Sequence, residues 1–165
     1  MSTTSWYSVY MDDILDEAGL AAWKAFVFAH AAAVGQIERE VAASGCISLT
    51  WYDVLTALSG APGHRLRLNE LAEQVVLSRS GLTRLLDRVE AAGLIRREPA
   101  PGDRRGAYAV MTEKGRAELL KTWPHYARGI AQYFSDALTS SEKQAVAEAL
   151  GRVRAHVLAI TGKTP

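Results

Sequence analysis

Residues 68–112 of this 165-residue chain decide its fold, and they read LNELAEQVVLSRSGLTRLLDRVEAAGLIRREPAPGDRRGAYAVMT. Two short segments place apolar residues at the spacing i, i+3, i+4, i+7, which gives each of two helices one apolar stripe. The first stripe is Leu68, Leu71, Ala72 and Val75, and the second is Leu82, Leu85, Leu86 and Val89. Helices separated only by the break at residues 76–78 must fold back on each other, so the segment predicts a helix-turn-helix unit.

A basic hairpin is predicted directly after this unit. The second helix should end at Gly93, since glycine most easily adopts the left-handed conformation of a helix cap. Residues 94–97 and 108–111 are typical of strands, and the turn-rich tip at residues 101–106 carries two adjacent arginines. Residues 66–68 can add a short third strand. A helix-turn-helix followed by a basic hairpin is a winged helix, whose expected ligand is double-stranded DNA.

Long helices are predicted on both sides of the winged helix. The first spans residues 14–43, the next spans 113–137 with a kink or break at Pro124, and the last spans 140–160. These helices carry more apolar surface than one small core needs, so a two-fold homodimer with interleaved termini is expected; the alternative is a monomer that packs them on itself. The candidates to pack against a second copy are Trp23, Phe26, Trp123, Tyr126, Tyr133 and Phe134.

The predicted fold is therefore mainly α with a small β-hairpin wing. Residues 1–48 and 113–165 are assigned to a helical dimerisation region, and residues 49–112 to a winged helix-turn-helix DNA-binding domain. Residues 1–12 show no clear period, so their order is left open. Hydroxyl and amide side chains mark the expected helix starts, at Ser48 or Thr50, Asn69, Thr112 and Thr139.

Composition and charge fit this interpretation without deciding it. The net charge is only +1, but residues 64–106 hold nine arginines against six acidic residues, whereas residues 1–63 hold two basic and seven acidic ones. A single cysteine excludes an internal disulfide, and no signal sequence or apolar run of membrane-spanning length is recognised. A cytoplasmic protein without cofactor or metal is expected.

The second helix leaves small hydroxyls and arginines on its outer face, which suits base edges and phosphates. Arg84 is the best candidate for base readout, because arginine can bind both acceptors of guanine together. Arg88, one turn later, is expected to meet phosphate or to pair with Asp87 or Glu90. Ser78 or Ser80 is also a candidate helix cap. The residues expected to contact DNA here are Ser78, Arg79, Ser80, Thr83, Arg84 and Arg88.

Residues 77–97, LSRSGLTRLLDRVEAAGLIRR, resemble the MarR family of bacterial transcriptional regulators, as do Asp103-Arg104-Arg105 and Thr112-Glu113-Lys114-Gly115-Arg116. The resemblance extends over roughly residues 20–160. The resemblance implies a homodimer that binds a pseudo-palindromic operator, usually as a repressor. Many members of the family leave DNA when a small, often aromatic or phenolic, compound enters the crevice between the dimer helices and the DNA-binding domain. In the family pattern the aspartate of the wing orients an arginine that reaches DNA, so Asp103, Arg104 and Arg105 join the expected contacts.

The effector-binding residues are less defined by the sequence. Trp23, Phe26, His30 and Trp51 are candidates to line an effector pocket, although such residues can equally belong to the core, and His30 is expected to be buried and hydrogen-bonded. Oxidant sensing through Cys46 is an alternative, but no basic residue adjoins this cysteine to lower its pKa. A winged-helix module that binds an acidic protein is a second alternative. No convincing catalytic set or metal-ligand spacing is found, so an enzyme is not expected.

Overall fold

The computed structural model describes residues 14–75, 79–100 and 102–162, without the side chains of residues 79, 80 and 103–105. The elements are α1 (Glu17–Ala43), α2 (Leu49–Gly60), β1 (Arg65–Arg67), α3 (Leu68–Gln74), α4 (Arg79–Ala91), β2 (Ile95–Ala100), β3 (Asp103–Met111), α5 (Glu113–Tyr133) and α6 (Ser140–Thr161), with short 3-10 turns at Pro62–His64 and Ser135–Ala137. The fold is mainly helical with one small antiparallel sheet, as predicted.

Side-chain caps begin most of the long helices. The hydroxyl of Ser48 accepts from the backbone of α2, and the hydroxyl of Thr112 accepts from the Gly115 amide at 3.0 Å at the start of α5. Thr139, an expected helix start, caps α6 and forms a reciprocal capping box with Glu142. The prediction for Asn69 is wrong, because the cap of α3 is Arg67, two residues earlier, and the carboxylate of Glu70 accepts from the Arg67 amide.

The sheet has the order β1-β3-β2, with both pairs antiparallel. The predicted strands were too short, since β2 runs to Ala100 and β3 starts at Asp103. The register is irregular near the tip, because Pro99 pairs with Ala107 and Ala100 pairs with Asp103. Residues 104–106 therefore lie between these two registered pairs, in a bulge of β3 and not in an open turn as predicted.

Two clusters of buried residues hold the chain together. The larger one joins the stripes of α3 and α4 to α2, the sheet and Leu119 of α5, with Leu55, Leu58, Leu71 and Val89 fully buried. The smaller one joins Ile37 and Val41 of α1 to Leu49, with Ile130 and Tyr133 of α5 packed against it. A kink or a break was predicted at Pro124; the break is wrong, because Pro124 lies inside one continuous α5. Thr122, two residues earlier, is fully buried and bonds the Glu118 carbonyl.

Large apolar side chains on the end helices remain exposed in the single chain. They are Ile14, Leu15, Trp23, Phe26, Val27, Phe28, Leu120, Trp123, Phe134, Leu150, Val153, Val157 and Ile160. Within the part of the chain that is described, α1 alone is long and apolar enough to cross a membrane by length and composition, which corrects the expectation that no stretch has this character. A helix that packs against another protein surface has the same composition, and the C-terminal half of α1 already packs against α5.

Candidate nucleic-acid interface

Helix α4 is divided between a buried face and an exposed face. Leu82, Leu85, Leu86 and Val89 are at most 4% exposed, as their spacing predicts. Thr83, Arg84 and Arg88 lie on the exposed face. Because the buried stripe fixes the rotation of the helix, these three side chains point away from the domain core.

The predicted recognition residues are only partly described. No carboxylate among the described side chains pairs with Arg84 or Arg88, so the predicted pairing of Arg88 with Asp87 or Glu90 is wrong. Arg79 and Ser80 form the start of α4, but their side chains are not described, and Ser78 lies outside the described residues. Their contacts with DNA stay predictions.

Arg97 of β2 forms ion pairs with Asp87 and Glu90, either of which was expected as a partner of Arg88. Its guanidinium contacts Asp87 at 2.7 Å and Glu90 at 3.0 Å, and the Glu90 carboxylate also accepts from the Arg97 amide at 2.8 Å. These bonds connect the recognition helix to the wing. This role of Arg97 was not predicted from the sequence. The signal that could have indicated it is the pair of acidic residues one turn apart on α4, followed by an arginine on the next strand.

The base of the wing is held to both neighbouring helices. Gly93 has a φ of 74°, which confirms the predicted left-handed cap. The Thr112 hydroxyl donates toward the carbonyls of Gly93 and Leu94, at 2.7 and 3.0 Å, and the Lys114 ammonium donates to the Ala92 carbonyl at 2.8 Å. The end of α4, the start of the wing and the start of α5 thus form one connected unit.

The wing arginines Arg104 and Arg105 lie in the bulge of β3, next to the registered pair formed by Asp103. Their side chains and that of Asp103 are not described, so the predicted ion pair and its orientation stay predictions.

An acidic and aromatic group lies where α1, α2 and α5 meet. The pKa of Asp53 is raised because burial disfavours its charged form and because Glu38 repels that charge, although the residue keeps contact with solvent. Burial and the nearby Asp53 also raise the pKa of Tyr126, whose ring packs edge-on against Tyr52 at 5.1 Å.

The four predicted effector residues do not form one pocket in the single chain. Trp23, Phe26 and His30 follow one another along α1, with ring centroids 6.1 Å apart at each step, and all three are exposed. The expectation that His30 is buried is therefore wrong for the single chain, because nothing described covers this part of α1. Trp51 is half-buried against the core of the winged helix, far along the chain from the other three.

A cavity of about 320 Å³ lies between α3, α4 and β2. Its walls are mostly apolar, and its polar groups come from Asn69, Thr83 and Arg97. The Nε atom of Arg97 is buried and has no hydrogen-bond partner among the described residues. The apolar lining consists of Leu68, Ala72, Leu82 and Leu86.

Cys46 is partly buried and lies beside the backbone carbonyls of Ser44 and Lys121, at 3.9 and 4.0 Å from its sulfur. Within residues 14–75, 79–100 and 102–162, no group of three or more His, Cys, Asp or Glu side chains is placed to hold a metal ion.

The comparisons with known proteins agree with this geometry. The sequence profile of the MarR family matches residues 47–106, from the start of α2 to the wing. The transcriptional regulator PecS of Dickeya dadantii is 32% identical over 117 residues, which are 68% of this chain and 68% of that protein. The chain spans 52% of the length of another matched curated regulator, YkoM of Bacillus subtilis.

Two solved structures from Streptomyces coelicolor cover most of the chain. The MarR-family regulator AbsC is 30% identical with a TM-score of 0.78, over 87% of this chain and 96% of that one. The MarR-family regulator Sco3205, solved in complex with DNA, is 27% identical with a TM-score of 0.80, over 87% and 93%. Fold, recognition helix and sequence relationship agree, and the chain belongs to the MarR family of DNA-binding transcriptional regulators.

Proposed function

We propose that this protein is a homodimeric repressor that binds a pseudo-palindromic operator and leaves it when a small aromatic molecule binds. The observation that carries the proposal is the exposed face of α4, where Thr83, Arg84 and Arg88 project from a helix that four buried apolar residues fix. Arginine and hydroxyl side chains on such a helix suit base edges and phosphates of a major groove. A protein of this function acts in the cytoplasm, where the bacterial chromosome is.

A second copy of the chain is the proposed cover for the apolar side chains of the end helices. Trp23, Phe26 and Phe28 on α1 and Val153 and Ile160 on α6 are each at least 43% exposed. Exposed apolar surface on this scale marks an interaction site. Residues 1–48 and 113–165 are therefore proposed as the dimerisation region.

Repression follows when the dimer occupies DNA that other proteins need. A dimer must hold its two recognition helices about one turn of duplex apart, roughly 34 Å, to enter successive major grooves on one face of DNA. A dimer bound across a promoter excludes other proteins from the same base pairs. An effector that binds better to a dimer with another spacing weakens DNA binding by the difference between its two affinities.

The cavity beside Arg97 is the effector site that the described residues favour. Its apolar walls suit one aromatic ring, and the polar groups that Asn69 and Arg97 contribute to its lining suit the oxygen of a carboxylate or phenolate. Trp23, Phe26, His30 and Trp51 stay the alternative, since a second copy could complete a pocket around them. Two variants separate these sites: Ala72→Leu fills the cavity, and Trp23→Ala changes the alternative site. Aromatic acids are first screened for release of the wild type from DNA. The variant that no longer leaves DNA when the active compound is added identifies the effector site.

The test of DNA binding is fluorescence anisotropy on the DNA upstream of the coding sequence and on a scrambled duplex, over a salt series. Tight binding to the upstream duplex alone, with steep loss as salt rises, supports the proposal. Equal, weak binding to both duplexes, followed by failure of selection from random DNA, would instead favour a winged-helix module for an acidic protein partner. Sedimentation of the free protein measures the dimer, and a monomer at micromolar concentration contradicts it.

A further inference from the structure

The centre of the exposed face of α4 carries a carboxylate as well as an arginine. At about 100° per residue, Arg84 and Asp87 lie on either side of the line opposite the buried stripe, each roughly 150° from the centre of that stripe. Thr83 and Arg88 lie nearer the edges of the face, at roughly 110°. Arg84 and Asp87 are both exposed. A helix that lays this face in a major groove therefore turns Asp87 towards the bases together with Arg84.

Arg97 of β2 holds this carboxylate in place. Its guanidinium donates to Oδ1 of Asp87 at 2.7 Å and also contacts the Glu90 carboxylate at 3.0 Å. The Asp87 side chain is 55% exposed, whereas those of Arg97 and Glu90 are 30% and 34% exposed. Of these three charged groups, the Asp87 carboxylate is therefore the most accessible to a partner that approaches α4.

The ion pair with Arg97 leaves Asp87 able to bind a base. A carboxylate has about four lone-pair sites on its two oxygens, so one bond from a guanidinium does not saturate it. The phosphates of DNA would repel an isolated carboxylate, and the positive charge of Arg97 at 2.7 Å offsets that repulsion. Because Glu90 also holds Arg97, the position of the Asp87 carboxylate is restricted before DNA binds.

Arg84 and Asp87 have opposite hydrogen-bonding roles. Arginine only donates, which suits O6 and N7 of guanine, whereas an ionised carboxylate only accepts. In the major groove the amino group of cytosine is a donor from which aspartate can accept. Adenine also presents an amino group there, but its neighbouring N7 is an acceptor that would repel a carboxylate. The chemistry of Asp87 therefore favours cytosine.

We infer that Asp87, positioned by Arg97, reads a cytosine in each half-site of the operator. The inference rests on the proposed operator binding by α4. It adds a residue that determines sequence preference to the arginine and hydroxyl side chains assigned to this face. The competing explanation is purely structural: Asp87 pairs with Arg97 only to connect α4 with the wing, and its loss would weaken DNA binding without changing the preferred bases.

The experiment selects duplexes from random DNA with the wild type, Asp87→Asn, Asp87→Ala and Glu90→Gln. Asparagine can bind N6 and N7 of adenine together, so Asp87→Asn should exchange one base preference for another. Alanine removes the contact and has the highest helix propensity. Glu90→Gln is the matched control, because it removes the other carboxylate that pairs with Arg97 from a less exposed position on the same helix. Thermal denaturation shows that each variant is folded.

The wild type is expected to select cytosine at one position in each half-site. Anisotropy should show that replacing this cytosine in both half-sites weakens binding of the wild type at least about 30-fold. At the same position Asp87→Asn should select adenine, Asp87→Ala should show no preference, and Glu90→Gln should keep cytosine.

The inference is overturned if no cytosine preference of the wild type depends on Asp87, even where the affinity of its variants falls. It is also overturned if Glu90→Gln loses the same preference, because the ion pairs with the wing would then explain the effect. A wild type that selects no sequence at all contradicts the proposed function instead.

Discussion

Removing the Arg84 side chain tests the assignment of base readout to α4. Arg84 lies on the exposed face of the helix, and no described carboxylate pairs with it, so Arg84→Ala deletes no described ion pair of the folded protein. Alanine also has the highest helix propensity, so the variant should keep its stability. Any loss of DNA affinity then reports on contacts with DNA.

The expected loss follows from the two-fold symmetry of the complex. One bidentate contact between arginine and guanine discriminates by about 1–3 kcal/mol, and a dimer makes the contact twice. The loss is then about 2–6 kcal/mol, which corresponds to a weakening of at least about 30-fold on the operator. Binding to scrambled DNA should change little, because phosphate contacts dominate it.

Anisotropy titrations on operator and scrambled duplexes measure this loss, with two comparison variants. Arg88→Ala should weaken binding to both duplexes alike and reduce the salt slope by about 1.8, as expected for one phosphate contact in each subunit. Arg152→Ala on α6 should bind like the wild type. If Arg84→Ala keeps its operator affinity within twofold, Arg84 does not read a base and the orientation inferred for α4 is wrong.

Three further predictions concern the support of the interface. Arg97→Met breaks two partly screened ion pairs with α4, so it should lower the free energy of urea unfolding by about 1–2 kcal/mol. It should also weaken binding to the operator more than binding to scrambled DNA. An operator affinity equal to that of the wild type would show that DNA binding does not need this link between α4 and the wing. Gly115→Ala would push a Cβ into the Leu94 carbonyl oxygen and should lower the free energy of urea unfolding by about 3 kcal/mol. Gly151 has open space around it, so Gly151→Ala should leave the free energy of unfolding unchanged or raise it. A raised pKa means that ionised Asp53 disfavours the folded state, so stability from this group is present at low pH and is lost as pH rises through its folded pKa. Asp53→Asn should therefore raise the free energy of unfolding at pH 7 by less than about 1 kcal/mol, seen as a slightly higher Tm, and should give no such gain at pH 3.

The stripes of α3 and α4 were predictable because a buried helix face requires apolar residues at a fixed period. Leu82, Leu85 and Val89 confirm this, and Gly93 adopts the predicted left-handed conformation. The wing was predicted with shorter strands, since the small and polar residues near its tip have little strand preference of their own. Backbone pairing with β2 extends β3 to Asp103 despite that composition.

Long-range polar contacts were not predictable from local pattern. The sequence suggested Asp87 or Glu90 as a partner of Arg88 on the same helix, if Arg88 did not meet phosphate. Both carboxylates instead pair with Arg97, ten and seven residues away on β2. Their choice depends on how α4 packs against the sheet, which no local period encodes. The position of His30 was missed for a related reason, because an apolar helix face predicts burial without saying which surface covers it.

The spacing of half-sites tests the central claim that a dimer places two α4 helices in successive major grooves. The selected operator is compared with the same sequence carrying five extra base pairs between its half-sites, which rotates one half-site to the opposite face of the duplex. The account predicts that the insertion lowers affinity to that of scrambled DNA, because a dimer built for about 34 Å cannot reach both sites. Equal affinity for the two duplexes would contradict it, since each half-site would then be read independently.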